Sequence, residues 1–149
     1  MLALKLVRLI ESDSDKLARG LIKRLEHEPK CANLGVVPRE ELQQRAYEVY
    51  HNLASWLMDM TEYDLLKRYR PLGVRGAEQG VPFADVYWAL VVTKENLCDF
   101  LREQAMSEIQ VDLFGAFEAY RQIDGFFERA IYYAAQGYAS VKHRAYAVA

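Results

Sequence analysis

The chain carries three histidines, His27, His51 and His143. A helical chain of this size could use one of them as the proximal ligand of a haem. Such a ligand must project into an apolar pocket with its second ring nitrogen held by a partner. His51 lies two residues from both Val49 and Leu53, about 200° around a helix from each, so it points away from their stripe. His27 is likewise off the Leu21–Leu25 face, and His143 falls in the C-terminal tail. All three read as solvent histidines, and the same geometry removes a catalytic histidine.

Paired acids occur at Glu40-Glu41, Glu26-x-Glu28, Glu11-x-Asp13-x-Asp15 and Asp59-x-x-Glu62, but at helix ends, where acids are favoured anyway. A di-iron bundle wants Glu-x-x-His on inward faces, and no such tetrad is present. Asp124 sits on or beside an apolar face between Tyr120 and Phe127. It is expected to be a buried charge paired with Arg75, Arg121 or a tyrosine hydroxyl. The glycine-rich GVRGAEQG (73–80) runs into Val81-Pro82 rather than Lys-Ser/Thr, so it is no phosphate loop. Lys67, Arg68, Arg70 and Arg75, interleaved with Tyr69, form a local basic cluster that reads as a solvated helix face. No serine stands in a G-x-S-x-G setting, and neither Cys31 nor Cys98 has an identifiable histidine partner. The expectation is therefore a chain without catalysis, metal or cofactor.

The elements behind these residues are helical. Residues 2–28 read as helix with a break near Ser12, where Ser12-x-x-Asp15 caps a stripe of Leu17, Leu21, Ile22 and Leu25. Pro29 stops it, and KCANLGVV is expected to be a loop. Pro38 opens a helix carrying Leu42, Ala46, Val49, Leu53, Trp56 and Met60 at helical spacing. Thr61-x-x-Asp64 caps the next, which Pro71 is expected to kink or end. Pro82 starts a long helix whose run VYWALVV (86–92) is apolar on all sides.

Ser107-x-x-Gln110 reads as the cap of the closing helix, over which Leu113, Phe117, Tyr120, Phe127, Ile131, Ala134, Tyr138 and Val141 share one side. A second line, Phe114, Ile123, Phe126 and Tyr133, widens the apolar surface beyond one stripe. Such a helix needs more than one neighbour. One face is expected in the core, and Phe114, Phe126 and Tyr133, with Trp88 from the preceding helix, at a homodimer contact. No segment alternates with a two-residue period, so no sheet is expected.

Bulk properties agree. A chain of 149 residues suits one domain and buries roughly 70% of its unfolded surface. With 52% apolar and 27% charged residues and a net charge of −2, it has no global pull toward nucleic acid or anionic membrane. Two cysteines imply no disulfide framework and suit a reducing cytoplasm. No stretch reaches the apolar length needed to span a bilayer, and MLALKLVRLI reads as helix rather than leader. The ten Tyr, six Phe and two Trp suit a core and an interface, or the lining of a pocket for a small apolar ligand.

The run Leu72-Gly73-Val74-Arg75-Gly76-Ala77-Glu78-Gln79-Gly80-Val81-Pro82-Phe83 carries a Gly-x-Arg, then Gln-Gly-x-Pro-apolar pattern leading into a long helix. Together with the Trp56 region and the closing Ala135-Gln136-Gly137-Tyr138, it resembles the N-terminal domain of the RsbRD type. That family is named from stressosome RsbT co-antagonists and is also found ahead of histidine kinases. The motif positions are Gly73, Arg75, Gln79, Gly80 and Pro82. The resemblance implies a non-haem, globin-like bundle of five or six helices spanning 1–149, with 138–149 a helical linker to an output domain. It implies a cytoplasmic, homodimeric, non-catalytic sensory domain of bacterial stress signalling, working on a downstream output domain or protein. Two rivals follow from the residues: a haem- or small-ligand-binding sensor, and a nucleic-acid adaptor using the Lys67–Arg75 cluster.

Overall fold

Asp13 interrupts the N-terminal helical run, leaving α1 (Leu2–Ser12) and α2 (Ser14–Glu26) as separate rods. The computed structural model describes residues 2–108 and 113–148, and the side chains of 4–103, 115 and 117–142. After α2 come a 3-10 segment (Pro29–Val36), α3 (Arg39–Met58), α4 (Glu62–Glu78), α5 (Phe83–Glu108) and α6 (Leu113–Val148). There is no strand among the described residues. The all-α expectation therefore holds, with one more helical element than anticipated.

The helix starts follow local chemistry. At α4 the Thr61 hydroxyl accepts from the Asp64 amide at 3.3 Å, and the Asp64 carboxylate accepts from the Thr61 amide at 3.0 Å. This reciprocal pair satisfies two donors that a helix start leaves open. Pro38 and Pro82 each stand one residue before a helix, at Arg39 and Phe83. Between α4 and α5, Gly80 takes φ +74°, a left-handed conformation that costs glycine little. Its amide bonds to Ala77 O at 3.1 Å, and the Val81 amide to Gly76 O at 3.0 Å. That pair is the Schellman pattern closing α4.

Several expectations are corrected. KCANLGVV is not open loop: it folds as 3-10 helix, with Cys31 and Leu34 buried beneath it. Pro71 does not end α4, which continues to Glu78. The missing amide leaves one carbonyl free of its usual bond, and packing on α6 holds the second half helical. Ser107 lies inside α5 rather than capping α6, and Gln110 falls outside the described residues. α6 itself runs through Gly137 to Val148.

The principal core gathers Ile10 of α1, Tyr50 and Leu53 of α3, Leu65 and Tyr69 of α4, Leu97 of α5, and Ile123, Phe126 and Ala130 of α6. A smaller cluster of Cys31, Leu34, Val37, Val81 and Val86 fastens the 3-10 segment to α5. Cys31 is buried, and burial pushes its thiol up to about 12.

The register of α6 is the main surprise. Ile123, Phe126, Phe127, Ala130, Tyr133 and Ala134 are buried, while Phe117 and Tyr120 are 65% and 39% exposed. The line expected at a subunit contact is the core line. Phe126 meets Tyr69 edge-on at 5.7 Å and Phe127 at 5.1 Å. Tyr133 is 9% exposed, and its hydroxyl donates to Glu62 at 2.8 Å. Asp124 is not a buried charge: its side chain is 51% exposed and pairs with Lys94 at 3.2 Å. It falls between the buried Ile123 and Phe127 in sequence, but on the helix's outer face.

Candidate functional site: a cavity between four helices

Each residue of the Gly-x-Arg…Gln-Gly-x-Pro pattern has a structural task. A Cβ on Gly73 would strike the carbonyl oxygen of Ala134, and one on Gly137 the carbonyl oxygen of Arg70. The backbones of α4 and α6 thus touch at two points, which no larger residue permits. Arg75 Nε donates to Glu41 Oε1 at 3.1 Å, and Gln79 Nε2 to Glu41 Oε2 at 3.0 Å. Arg45 donates to the same Oε1 at 2.6 Å. The Glu41 carboxylate therefore ties α3 to α4. The Arg75 hydrogen bond, aided by Arg45 and Gln79, holds its carboxyl below the ordinary Glu range. Gly80 turns the chain, and Pro82 stands before α5.

Above this clasp lies a cavity of about 300 Å³ among α2, α3, α4 and α5. Leu21, Val49, Leu72 and Leu90 give it apolar walls, and Asn52 and Tyr69 contribute polar atoms. Leu34 of the 3-10 segment also lines it. Charged Arg45, Glu48, Lys67 and Arg68 complete the lining. Most of these charges are engaged: Arg45 with Glu41 at 2.6 Å, Glu48 with Gln44 at 2.9 Å, and Lys67 over the Tyr63 ring at 4.5 Å. The volume is at the lower end for small-molecule sites.

Asn52 and Tyr69 are 5% and 3% exposed. Asn52 Nδ2 donates to the Tyr69 hydroxyl at 3.3 Å, and burial raises the Tyr69 phenol well above its usual range. It therefore stays protonated and able to donate. Beside it, the Tyr50 hydroxyl donates to Thr93 O at 3.1 Å and accepts from Asn96 Nδ2 at 2.9 Å. Asn96 Nδ2 also reaches Leu17 O at 3.1 Å. This buried network joins α2, α3 and α5 below the cavity.

The other candidates lie apart from it. His27 is exposed, with Nδ1 2.9 Å from Lys23 O, and His51 is exposed and stacked on Tyr47; neither lines the cavity. The side chain of His143 lies outside the described residues, as does that of Phe114. Trp88 is half-buried against both clusters, with Lys30 4.0 Å over its ring. Among the described residues no group of three or more His, Cys, Asp or Glu could hold a metal ion. No helix of the described residues is long and apolar enough to cross a membrane.

Sequence reasoning missed Asn52 and the roles of Glu41, Tyr69 and Gly137. Asn52 had a signal, since it stands three residues after Val49 and four before Trp56, a polar residue on an apolar stripe. Glu41 read as a first-turn acid, and its three partners come from packing. No family model, curated protein or solved structure matches this chain.

Proposed function

We propose that this chain is a non-catalytic sensory module of a bacterial signalling protein, non-haem and globin-like. It forms a homodimer and passes a ligand- or partner-driven change along α6 to an output domain or protein. The observation that carries this reading is the double backbone contact of α4 and α6 at Gly73 and Gly137. Tyr69 and Leu72 of α4 line the cavity, and Gly73 is the next residue. A shift of α4 that makes room for a ligand must therefore move α6 with it, because backbone contacts have no side chain to absorb the displacement. At 36 residues, α6 extends about 54 Å at 1.5 Å per residue, enough to carry that movement out of the bundle.

The outward face of α6 supports dimerisation. Phe117 and Tyr132 are 65% and 57% exposed there, and Tyr87 of α5 is 42% exposed. These residues take the place of Phe126 and Tyr133 as the expected contact. Native mass spectrometry should give a dimer, and the double change Phe117→Glu with Tyr132→Glu a folded monomer. A wild-type monomer at micromolar concentration overturns the dimeric part. For the transmission, Leu90→Phe narrows the cavity, and hydrogen exchange should change along α6 beyond Gly137. A change confined to α4 and α5 sinks the coupling.

A further inference from the structure

The polar end of the cavity indicates what kind of molecule it takes. Asn52 and Tyr69 together carry more donor hydrogens than their mutual bond uses, since the amide has two and the phenol one. Among the described residues, no acceptor other than this pair itself lies on either side chain. Reversing the Asn52 amide makes it the acceptor and leaves its own N–H groups over. In either orientation a buried donor is left without a protein acceptor, a costly arrangement unless something else completes it.

The walls on either side are aliphatic. Three of the four charged side chains in the lining are held by groups outside it, Arg45 by Glu41, Glu48 by Gln44 and Lys67 by the Tyr63 ring, while the fourth, Arg68, is exposed. Neutral donors at a buried end, with the lining charges engaged elsewhere or, for Arg68, exposed, suit an uncharged acceptor better than an ion that must lose its hydration. We propose that the Asn52–Tyr69 pair is the specificity-determining end of this cavity, and that it selects an uncharged, apolar small molecule bearing one acceptor oxygen, of the ketone class. The proposal rests on the sensory reading above and gives it a ligand chemistry. The ligand oxygen accepts from Tyr69 Oη or Asn52 Nδ2, and its hydrocarbon part lies against Leu21, Val49, Leu72 and Leu90.

The test is titration calorimetry of the full chain with acetophenone, ethylbenzene and benzoate, which share a ring and differ in the polar group. The partner protein is the double variant Asn52→Leu/Tyr69→Phe, which removes both polar groups with little change of shape and is therefore expected to fold. Acetophenone should bind the wild type and lose about fivefold or more in the double variant, the equivalent of one hydrogen bond. Ethylbenzene should change by less than about twofold, and Leu90→Phe should weaken both. Equal acetophenone affinity for the wild type and the double variant overturns the selection. So does benzoate binding more tightly than acetophenone, which would assign the cavity to an anion. If ethylbenzene binds and the ketone is not distinguished, the sensing cavity survives and only the polar selection falls. If no probe binds the wild type, the cavity fails as a ligand site.

Discussion

Gly73 and Gly137 hold the backbones of α4 and α6 in direct contact: the place of one's missing Cβ is filled by Ala134 O, and of the other's by Arg70 O. Helix propensity alone would reward alanine at either position by about 1 kcal/mol. Here the obstruction is backbone, which cannot rotate aside. Gly73→Ala and Gly137→Ala should therefore each lower the unfolding free energy by about 3 kcal/mol. Gly125→Ala, also in α6, meets only the end of the Arg129 side chain at 3.3 Å, and should stabilise by up to about 1 kcal/mol. Urea denaturation of the three variants gives the comparison, and a stabilising Gly73→Ala would refute the close crossing.

Phe126 and Phe117 test which face of α6 is inside. Phe126 is fully buried and Phe117 is 65% exposed. Phe126→Ala should cost about 3–5 kcal/mol, and Phe117→Ala should stay within about 0.5 kcal/mol in the monomer. Equal effects in thermal melts would place the register wrongly.

The Glu41 clasp predicts an acid dependence. Its carboxyl is held below the ordinary range when folded, first by the Arg75 hydrogen bond. The folded state thus binds a proton less readily than the unfolded one. The stabilisation is fully present above the ordinary Glu value and is lost as pH falls through that value toward the folded one. Glu41→Gln should lower stability at pH 7 and flatten the part of the acid slope below about pH 4.5. An unchanged slope in denaturation curves between pH 3 and pH 7 would show that the clasp carries no linkage.

Local chemistry was readable wherever a few neighbouring residues decide the outcome. The Thr61–Asp64 cap and the Leu42–Ala46–Val49–Leu53 stripe stand as their sequences imply, and the helix breaks where expected. Ser12, however, ends α1 with its hydroxyl on Leu9 O instead of capping α2, which starts after Asp13 without a side-chain cap. What failed depended on neighbours far along the chain. With apolar residues on both sides of α6, periodicity cannot say which side is inside, so Phe126 was assigned outward and Asp124 inward. Nothing local to Gly137 shows that it must meet the backbone of Arg70. Pro71 would have ended a free helix, but α4 packed on α6 tolerates the lost bond. The cavity belongs to no single segment, because its lining comes from four helices and the 3-10 segment between two of them.

The buried thiol of Cys31 has a practical consequence. With its ionisation pushed up to about 12, only about one molecule in 10⁵ is thiolate at neutral pH, and the thiolate is the form that alkylates. A maleimide or iodoacetamide reagent can modify it at a useful rate only after the 3-10 segment lifts from α5. Leu34, three residues on in that segment, lines the cavity. The labelling rate of a natural residue is therefore a clock for the opening of this wall, and a compound lodged inside that pins the segment down should slow it.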